Sequence, residues 1–232
     1  MISRVAWKLD RRYLGQRVKR TAKFLRRDVR SLRGYADEFL EEIGGSAWGN
    51  PNLELYLMVR ALRPKEVVET GVNRGNSTSA ILRALHANSS GHLTSIDLPT
   101  TGAGRFNEGG TWDTSHVPEG GTGLEIPAYL RDRWTLELGP SRDLLPGHEG
   151  YDMFFHDSDH SYANQKFEYG VAVGRIAPGG LLASDDIRWS PAFGEASRGH
   201  RTLLWPFERV RRGAFFPRGD PAGPVRSGPG AP

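Results

Sequence analysis

The 232-residue sequence contains no cysteine. This absence excludes disulfides, zinc–thiolate centres and cysteine nucleophiles, and it is typical of proteins in a reducing compartment. No apolar run reaches the roughly eighteen residues that a membrane-spanning helix needs. The N-terminal stretch also lacks the apolar block of a secretory signal. We therefore expect a cytoplasmic protein without a membrane span.

The formal net charge of +4 hides an asymmetry along the chain. Residues 1–33 carry twelve Lys or Arg against two Asp, a local balance of +10, so the remaining 199 residues sum to −6. Apolar residues in the basic stretch recur at steps of three and four, which predicts one amphipathic helix. These residues are Val18, Ala22, Leu25, Val29 and Leu32.

This helix defines a basic N-terminal extension, residues 1–50. We expect it to pack on the body of the protein or on a second copy of the chain, which would make a homo-oligomer. The alternative is a contact with anionic lipid or nucleic acid. Because no aromatic platform or nucleic-acid motif accompanies the arginines, we do not expect nucleic acid as a partner.

From residue 51 onwards, helical and strand patterns alternate. Such alternation predicts an α/β fold with a Rossmann-like, doubly wound and mostly parallel sheet. The predicted helices are 53–62, 77–86 and 164–176, and the predicted strands are 65–70, 93–97, 134–138, 151–156 and 181–184. One domain is predicted over residues 51–217, with a disordered Gly/Pro-rich tail over 218–232. The long glycine-rich loop 99–127 is interpreted as a lid.

The first strand-to-helix turn carries the segment Glu69-Thr70-Gly71-Val72-Asn73-Arg74-Gly75-Asn76-Ser77. In a doubly wound fold this turn faces the ligand crevice, and the helix start offers free N–H groups to an anion. Glu69 could accept a hydrogen bond from an amine, so the amino-acid end of S-adenosylmethionine matches the pair. The spacing is neither a dinucleotide fingerprint nor a P-loop. A tight turn without a ligand stays open as an alternative.

Asp97 ends the second predicted strand, about twenty-five residues after the glycines. An acid at this position can bind ribose hydroxyls. Elsewhere an acid at a strand end is often only a cap.

Four blocks together resemble the class I S-adenosylmethionine-dependent O-methyltransferases, over about residues 51–190. The blocks are residues 69–77, 93–97, 138–146, and 152–160 together with 181–186. They are most similar to the metal-dependent group that includes catechol and caffeoyl-CoA O-methyltransferases and macrolide sugar O-methyltransferases. The resemblance implies a cofactor site for S-adenosylmethionine. Its residues would be Glu69, Gly71, Asn73, Gly75, Ser77, Asp97, Ser141 and Asp157.

Three carboxylates follow the fourth and fifth predicted strands: Asp157, Asp185 and Asp186. If these strands are neighbours, the carboxylates meet at one edge of the sheet. Like charges so close are costly unless a cation joins them, and oxygen-only ligands select Mg²⁺ or another divalent cation. The resemblance implies the same metal trio. A bound cation would lower the pKa of an acceptor hydroxyl.

His160, three residues after Asp157, is the candidate general base, because imidazole titrates near neutral pH. Asp159 could assist the metal, orient His160 or only cap the next helix. His156 is interpreted as a packing or cofactor-lining residue. Lys166 and Glu168 are interpreted as solvated helix residues.

The acceptor side has weaker signals. Candidate acceptor-lining residues are Arg105, Phe106, Trp112, His116, Tyr162 and Trp189. The pattern with His160 favours a hydroxyl of a sugar or another small natural product, hence a role in natural product biosynthesis. Two alternatives stay open: a metal-independent or N-directed methyltransferase on the same fold, and a catalytically silent partner subunit that only binds the cofactor.

Overall fold

The computed structural model describes residues 4–45, 50, 52–99, 120–205 and 212–219, with side chains from residue 12 onwards. The helices are α1 (Arg4–Leu25), α2 (Val29–Glu42), α3 (Leu53–Leu62), α4 (Asn76–Ala87), α5 (Ser141–Leu144), α6 (Tyr162–Arg175) and α7 (Ala192–Ala196). The strands are β1 (Glu66–Thr70), β2 (His92–Asp97), β3 (Trp134–Leu138), β4 (Met153–His156), β5 (Leu181–Ser184), β6 (Thr202–Leu204) and β7 (Gly213–Phe215). Two short 3₁₀ helices cover Ala128–Arg133 and Leu145–Gly147.

The seven strands form one sheet in the order β3-β2-β1-β4-β5-β7-β6. Strands β1 to β5 pair in parallel, whereas β7 runs antiparallel to β5 and to β6. The order reverses between β1 and β4, which is where doubly wound sheets open their ligand crevice. The predicted Rossmann-like α/β fold is therefore confirmed.

The central strands β1, β4 and β5 are buried on both faces apart from the first residue of β1, as is typical of parallel strands covered by helices. Alternate side chains feed two hydrophobic clusters: Phe155 joins the one that also contains residues of α1 to α4. Phe154 joins the other, which contains residues of α6 and α7. The sheet thus lies between two helical layers, and its carboxyl edge remains available for a site.

The N-terminal extension differs from its prediction. Instead of one helix through residues 18–32, α1 ends at Leu25 and α2 begins at Val29, since the carboxylate of Asp28 accepts a hydrogen bond from Ser31 N at 2.8 Å and caps α2. Val29 is 41% exposed and does not belong to the apolar face, whereas Leu25 and Leu32 are buried.

Both N-terminal helices pack on the body of the protein, which was one of the two arrangements expected from the sequence, the other being packing on a second copy of the chain. Phe24 stacks on Phe216 with ring centroids 5.2 Å apart, and Phe39 stacks on Tyr56 at 4.5 Å. Arg17 is buried and forms an ion pair with Glu54. The helices on either side of residue 50 share one core. The domain boundary proposed at this residue stays a prediction.

Two predicted irregular segments lie mostly outside the described residues. Residues 100–119 of the proposed lid and residues 220–232 of the proposed tail belong to this group. Of the helices that the structure describes, none has the length and apolar character that crossing a membrane requires.

Candidate active site

The carboxyl ends of β1, β2, β4 and β5 bring the predicted site residues to one edge of the sheet. Thr70 is in register with His156, and His156 with Ser184, so the loops that follow these strands start side by side. The structure thereby places the glycine segment after β1 beside the acidic segments after β4 and β5. The sequence predicted this juxtaposition from the assumed strand order.

Gly71 has a φ of +84°, a left-handed backbone conformation that residues other than glycine seldom adopt. A Cβ at this position would overlap the backbone carbonyl oxygen of Asp157. Gly75, with a φ of +96°, precedes α4, and no side chain caps the start of this helix. The loop therefore packs tightly on the loop after β4, while the first N–H groups of α4 are positioned to bind an anion.

Glu69 lies under this loop and not at its surface. Its side chain is fully buried, and its carboxylate accepts hydrogen bonds from Ser77 Oγ at 3.0 Å, Thr78 Oγ1 at 2.8 Å and Ser95 Oγ at 2.7 Å. Burial raises the pKa of Glu69 to about 7, even though the three hydroxyls stabilise its charge. As placed, Glu69 and Ser77 tie β1, β2 and α4 together, and their predicted direct contact with a cofactor stays a prediction.

The carboxylate of Asp97 is hydrogen-bonded to the glycine loop. Its Oδ2 accepts hydrogen bonds from the backbone N–H groups of Val72 at 3.0 Å and Asn73 at 2.9 Å, and its Oδ1 accepts one from Leu98 N at 2.7 Å. A carboxylate has about four lone-pair positions, so one is left on Oδ1 for a ribose hydroxyl. Asn73, the other predicted cofactor residue here, is exposed and has a φ of +50°.

Three carboxylates follow the ends of β4 and β5, and an arginine joins two of them, Asp185 and Asp157. Arg212 Nη2 donates a hydrogen bond to Asp185 Oδ2 at 2.7 Å and lies 3.9 Å from Asp157 Oδ2. Asp185 Oδ1 accepts the backbone N–H of Asp186 at 2.8 Å. Sequence reasoning required a cation at this place, and the structure supplies a guanidinium.

The charges of the cluster follow from this arrangement. Burial opposes ionisation of Asp185, yet Arg212 holds its pKa below the ordinary value. Burial and the neighbouring charge of Asp185 raise the pKa of Asp157 well above its usual range, and the same two causes raise that of Asp186. Asp185 is thus the carboxylate most firmly ionised, because it has the closest cationic partner.

His160 lies between two of the acids. Its Nε2 is 3.8 Å from Asp157 Oδ1 and its Nδ1 is 3.7 Å from Asp186 Oδ2, which are distances for electrostatic attraction but not for hydrogen bonds. Nε2 is buried without a hydrogen-bond partner among the residues that the structure describes. Burial, followed by the charge of His156, lowers the pKa of His160, so the ring is neutral and able to accept a proton near pH 7.

Comparison with known proteins now decides the family. A family model described as a methyltransferase domain matches residues 68–187, which include the carboxyl ends of β1 to β5. This chain belongs to that methyltransferase family. No curated protein matches the sequence at a significant level.

Solved structures of other methyltransferases share the fold. A methyltransferase from Geobacter sulfurreducens superposes with a TM-score of 0.53 at 18% identity, covering 80% of this chain and 89% of the other. An O-methyltransferase from Bacillus cereus in complex with SAH gives 0.50 at 17% identity over 70% and 78% of the two chains. Cofactor-bound Rv0187 from MTB gives 0.53 at 17% identity over 72% and 78%. At these identities the likeness establishes the fold of this methyltransferase and not its acceptor.

The loop geometry of this methyltransferase fits a nucleoside cofactor with an amino-acid tail. The uncapped start of α4 suits a carboxylate, and Asp97 keeps an acceptor for a ribose hydroxyl. Ser141 begins α5, and its hydroxyl donates towards Glu168. Its contact with the cofactor stays a prediction.

The acidic trio does not fit a divalent cation as it stands. Mg²⁺ requires several oxygens in near-octahedral geometry. Within the described part of the chain, no three Asp, Glu, His or Cys side chains converge on a point that could hold a metal ion. The cation that the structure places at Asp185 is Arg212, which donates to Oδ2, while Oδ1 accepts the backbone N–H of Asp186.

Sequence reasoning missed two residues of this site. Glu168, interpreted as solvated, is fully buried in α6 and contacts Thr70, His156, Ser158 and Asn164. Its position two residues after exposed Lys166 gave no signal of burial. Arg212 comes from the segment before β7, far along the chain from the acids.

The remaining predictions have mixed outcomes. Asp159 accepts hydrogen bonds from Ser161 N at 2.9 Å and Ser161 Oγ at 2.8 Å, whereas the residue that caps α6 is Ser161 itself. His156 is buried, as a packing residue would be. Trp189 is 73% exposed with its ring 5.7 Å from that of His160, and its predicted contact with the acceptor stays a prediction. The other proposed acceptor-lining residues, except Tyr162, lie outside the described residues: Arg105, Phe106, Trp112 and His116.

Proposed function

We propose that this methyltransferase moves the methyl group of S-adenosylmethionine to a hydroxyl of a small molecule, with His160 as the base. The observation that carries the proposal is the unpartnered, buried Nε2 of His160 at the carboxyl edge of the sheet. A neutral imidazole with a free lone pair is the group that hydroxyl deprotonation at neutral pH needs. The glycine loop that would hold the cofactor lies next to it, across the β1–β4 contact.

The bound cofactor supplies a sulfonium whose methyl carbon is electrophilic. When bound, it would give its methyl carbon to the acceptor oxygen, and the electron pair of the broken carbon–sulfur bond would stay on sulfur. The chain itself would orient the acceptor and remove its proton. His160 Nε2 takes the hydroxyl proton, and Asp157 and Asp186 on either side stabilise the resulting imidazolium.

Trp189 supports a flat or partly apolar acceptor, because its exposed indole flanks the base. A sugar ring or another natural-product scaffold presents hydroxyls next to such a face. We infer this acceptor class, together with a role in natural product biosynthesis in the cytoplasm. A homo-oligomer through the N-terminal helices stays a prediction.

The test is a screen for transfer of a labelled methyl group to hydroxylated natural products and glycosides. His160→Ala is expected to slow transfer by about 10²–10⁴-fold, the usual contribution of a general base. Its affinity for S-adenosylhomocysteine should stay nearly unchanged, since His160 lies outside the glycine loop. His92→Ala is the matched control, because His92 lies at the amino end of β2, the opposite edge of the sheet. Turnover by His160→Ala at the wild-type rate would refute the base assignment.

A metal-assisted reaction is the second candidate. The three carboxylates at the ends of β4 and β5 favour it, and so does the resemblance to metal-dependent O-methyltransferases. It predicts that EDTA stops turnover and that Asp157→Asn abolishes stimulation by Mg²⁺. Turnover that is indifferent to both changes would leave the metal-independent reaction.

A further inference from the structure

We propose that Arg212 is the resident cation of the acidic cluster and takes the place of a divalent metal in this methyltransferase. The assignment of a positioning role in catalysis rests on the proposed function. The occupancy of the acidic cluster by Arg212 is independent of the proposed function, because it concerns only which cation the carboxylates hold.

The contacts of Arg212 show a built site. Its side chain is only 6% exposed, and one terminal nitrogen, Nη2, faces both Asp185 at 2.7 Å and Asp157 at 3.9 Å. The other, Nη1, donates to Asn52 Oδ1 at 2.6 Å. The guanidinium also lies over the ring of Phe155, 5.3 Å from its centroid. These contacts fix the plane of the guanidinium at the ends of β4 and β5.

A divalent cation would compete for the same oxygens. Where Asp185 and Asp157 face each other, an ion would meet Asp185 Oδ2, which already accepts the hydrogen bond from Arg212, and Asp157 Oδ2, which lies 3.9 Å from the same nitrogen. An ion at the coordination distance of about 2.1 Å from these oxygens would lie within a few ångströms of the guanidinium. Two cations that close repel each other strongly in a buried site, so one excludes the other.

The anchoring of Arg212 also links the cluster to the cofactor loop. Asn52 accepts from Arg212 through Oδ1 and donates through Nδ2 to the carbonyl oxygen of Asn76 at 3.2 Å, at the start of α4. A positive group at this point holds the carboxylates after β4 and β5 in fixed positions around His160. Arg212 thus serves as a positioning residue that orients the groups beside the base.

The decisive measurement is binding of Mn²⁺, followed by electron paramagnetic resonance, to the full chain and four variants. Wild type and the control Arg175→Gln, which removes a surface arginine, are expected to bind Mn²⁺ no better than Asp185→Asn. Arg212→Gln is expected to bind Mn²⁺ at least 10-fold more tightly than wild type, and the double variant with Asp185→Asn should lose this gain. Turnover of the wild type should be the same in EDTA and in Mg²⁺.

Two results would overturn the inference: Asp185-dependent Mn²⁺ binding by the wild-type chain, or loss of its turnover in EDTA that Mg²⁺ restores. If Arg212→Gln does not fold, the comparison of wild type with Asp185→Asn still decides between the two cations. Absence of methyl transfer to every hydroxylated acceptor, together with no Mn²⁺ binding, would refute the proposed function and leave the assignment of Arg212 intact.

Discussion

The buried carboxylate of Glu168 holds together the loops after β1 and β4, and replacing it with glutamine should weaken the whole fold. Its Oε2 accepts hydrogen bonds from Thr70 Oγ1 at 2.6 Å and His156 Nδ1 at 2.7 Å. Its Oε1 accepts from Ser158 Oγ at 2.8 Å and Asn164 Nδ2 at 3.0 Å. These four hydrogen bonds converge on one group that is an acceptor only, and the Ser141 hydroxyl donates towards it as well.

Glu168→Gln keeps the shape of the side chain and replaces one oxygen by an NH₂ group. Whichever way the amide turns, two of the four donors then face another donor. A hydrogen bond to a charged group contributes about 1.5–3 kcal/mol, so two lost bonds cost about 3–6 kcal/mol before relaxation. Thr70 or Ser158 can rotate its hydroxyl to accept, which reduces the expected loss to roughly 3 kcal/mol.

Urea unfolding at pH 7, followed by circular dichroism, measures this loss directly. For a chain of this size, roughly 3 kcal/mol corresponds to a fall in melting temperature of about 6–12 °C. The matched control is Glu149→Gln, because the Glu149 side chain is 79% exposed and its ion pair with Arg175 spans 3.5 Å. That variant should unfold like the wild type. A loss below about 1 kcal/mol for Glu168→Gln would refute the reasoning, since a single lost neutral hydrogen bond could account for it.

The pH dependence gives a second readout of the same contacts. Burial opposes the charge of Glu168, but His156 and the hydroxyl donors lower its pKa to about 2, below the ordinary value of 4.5. A carboxylate with a lowered pKa stabilises the fold above its unfolded pKa, and this contribution is lost as the pH falls from 4.5 towards 2. The difference in stability between wild type and Glu168→Gln should therefore shrink in that window. A difference that stays constant down to pH 2.5 would contradict the assignment.

Three further predictions concern the cofactor loop and the acceptor side. Gly71→Ala should destabilise the protein by more than about 2 kcal/mol in urea and abolish cofactor binding, because the backbone carbonyl of Asp157 cannot move aside. The control Gly150→Ala, also at positive φ but with open space around it, should cost only about 1 kcal/mol. Equal effects of the two substitutions would contradict the packing argument. Burial raises the pKa of Glu69 to about 7, above its ordinary 4.5, so its contribution to stability is complete below pH 4.5 and is lost as the pH rises to about 7. In urea titrations, Glu69→Gln should remove this decline of stability between pH 4.5 and 7. An unchanged dependence of stability on pH would contradict the assignment of the decline to Glu69. Trp189→Ala should raise the KM for the acceptor by about 3- to 10-fold without changing cofactor affinity; an unchanged KM would exclude Trp189 from the acceptor site.

Elements governed by local patterns could be predicted to the residue. The helix Leu53–Leu62 and the strands Trp134–Leu138 and Leu181–Ser184 have the predicted bounds, because apolar periodicity and flanking glycine or proline determine them locally. The strands β6 and β7 were missed. Each has only three residues and exists through pairing with a neighbour, which a pattern within the segment does not reveal.

The break between α1 and α2 had a signal that the periodicity concealed. The apolar steps of three and four continue from Val18 to Leu32, so one helix fitted them. Asp28, with Ser31 three residues later, is nevertheless an N-cap pattern, and the structure uses it as one. Where a cap residue interrupts an apolar stripe, the cap is the better predictor of a helix boundary.

Predicting the site depended on how far apart its parts lie in the sequence. The glycine loop and the acids lie at strand ends, so the strand order alone brings them together. Glu168 and Arg212 escaped because their burial depends on which helix and which edge strand pack against those ends. Neither residue belongs to a local motif.

The requirement for a cation was predictable from the sequence, whereas its identity was not. Three carboxylates at adjacent strand ends need positive charge, and both Mg²⁺ and a guanidinium supply it. The two differ in what they do for the reaction. A metal has open positions that bind an acceptor oxygen and lower its pKa, whereas Arg212 is a donor only and its nearest oxygens belong to the protein. If Arg212 is the cation, deprotonation of the acceptor falls to His160 and its placement to neighbours such as Trp189. Substitution at either residue should then be more damaging than in an enzyme whose metal holds the acceptor.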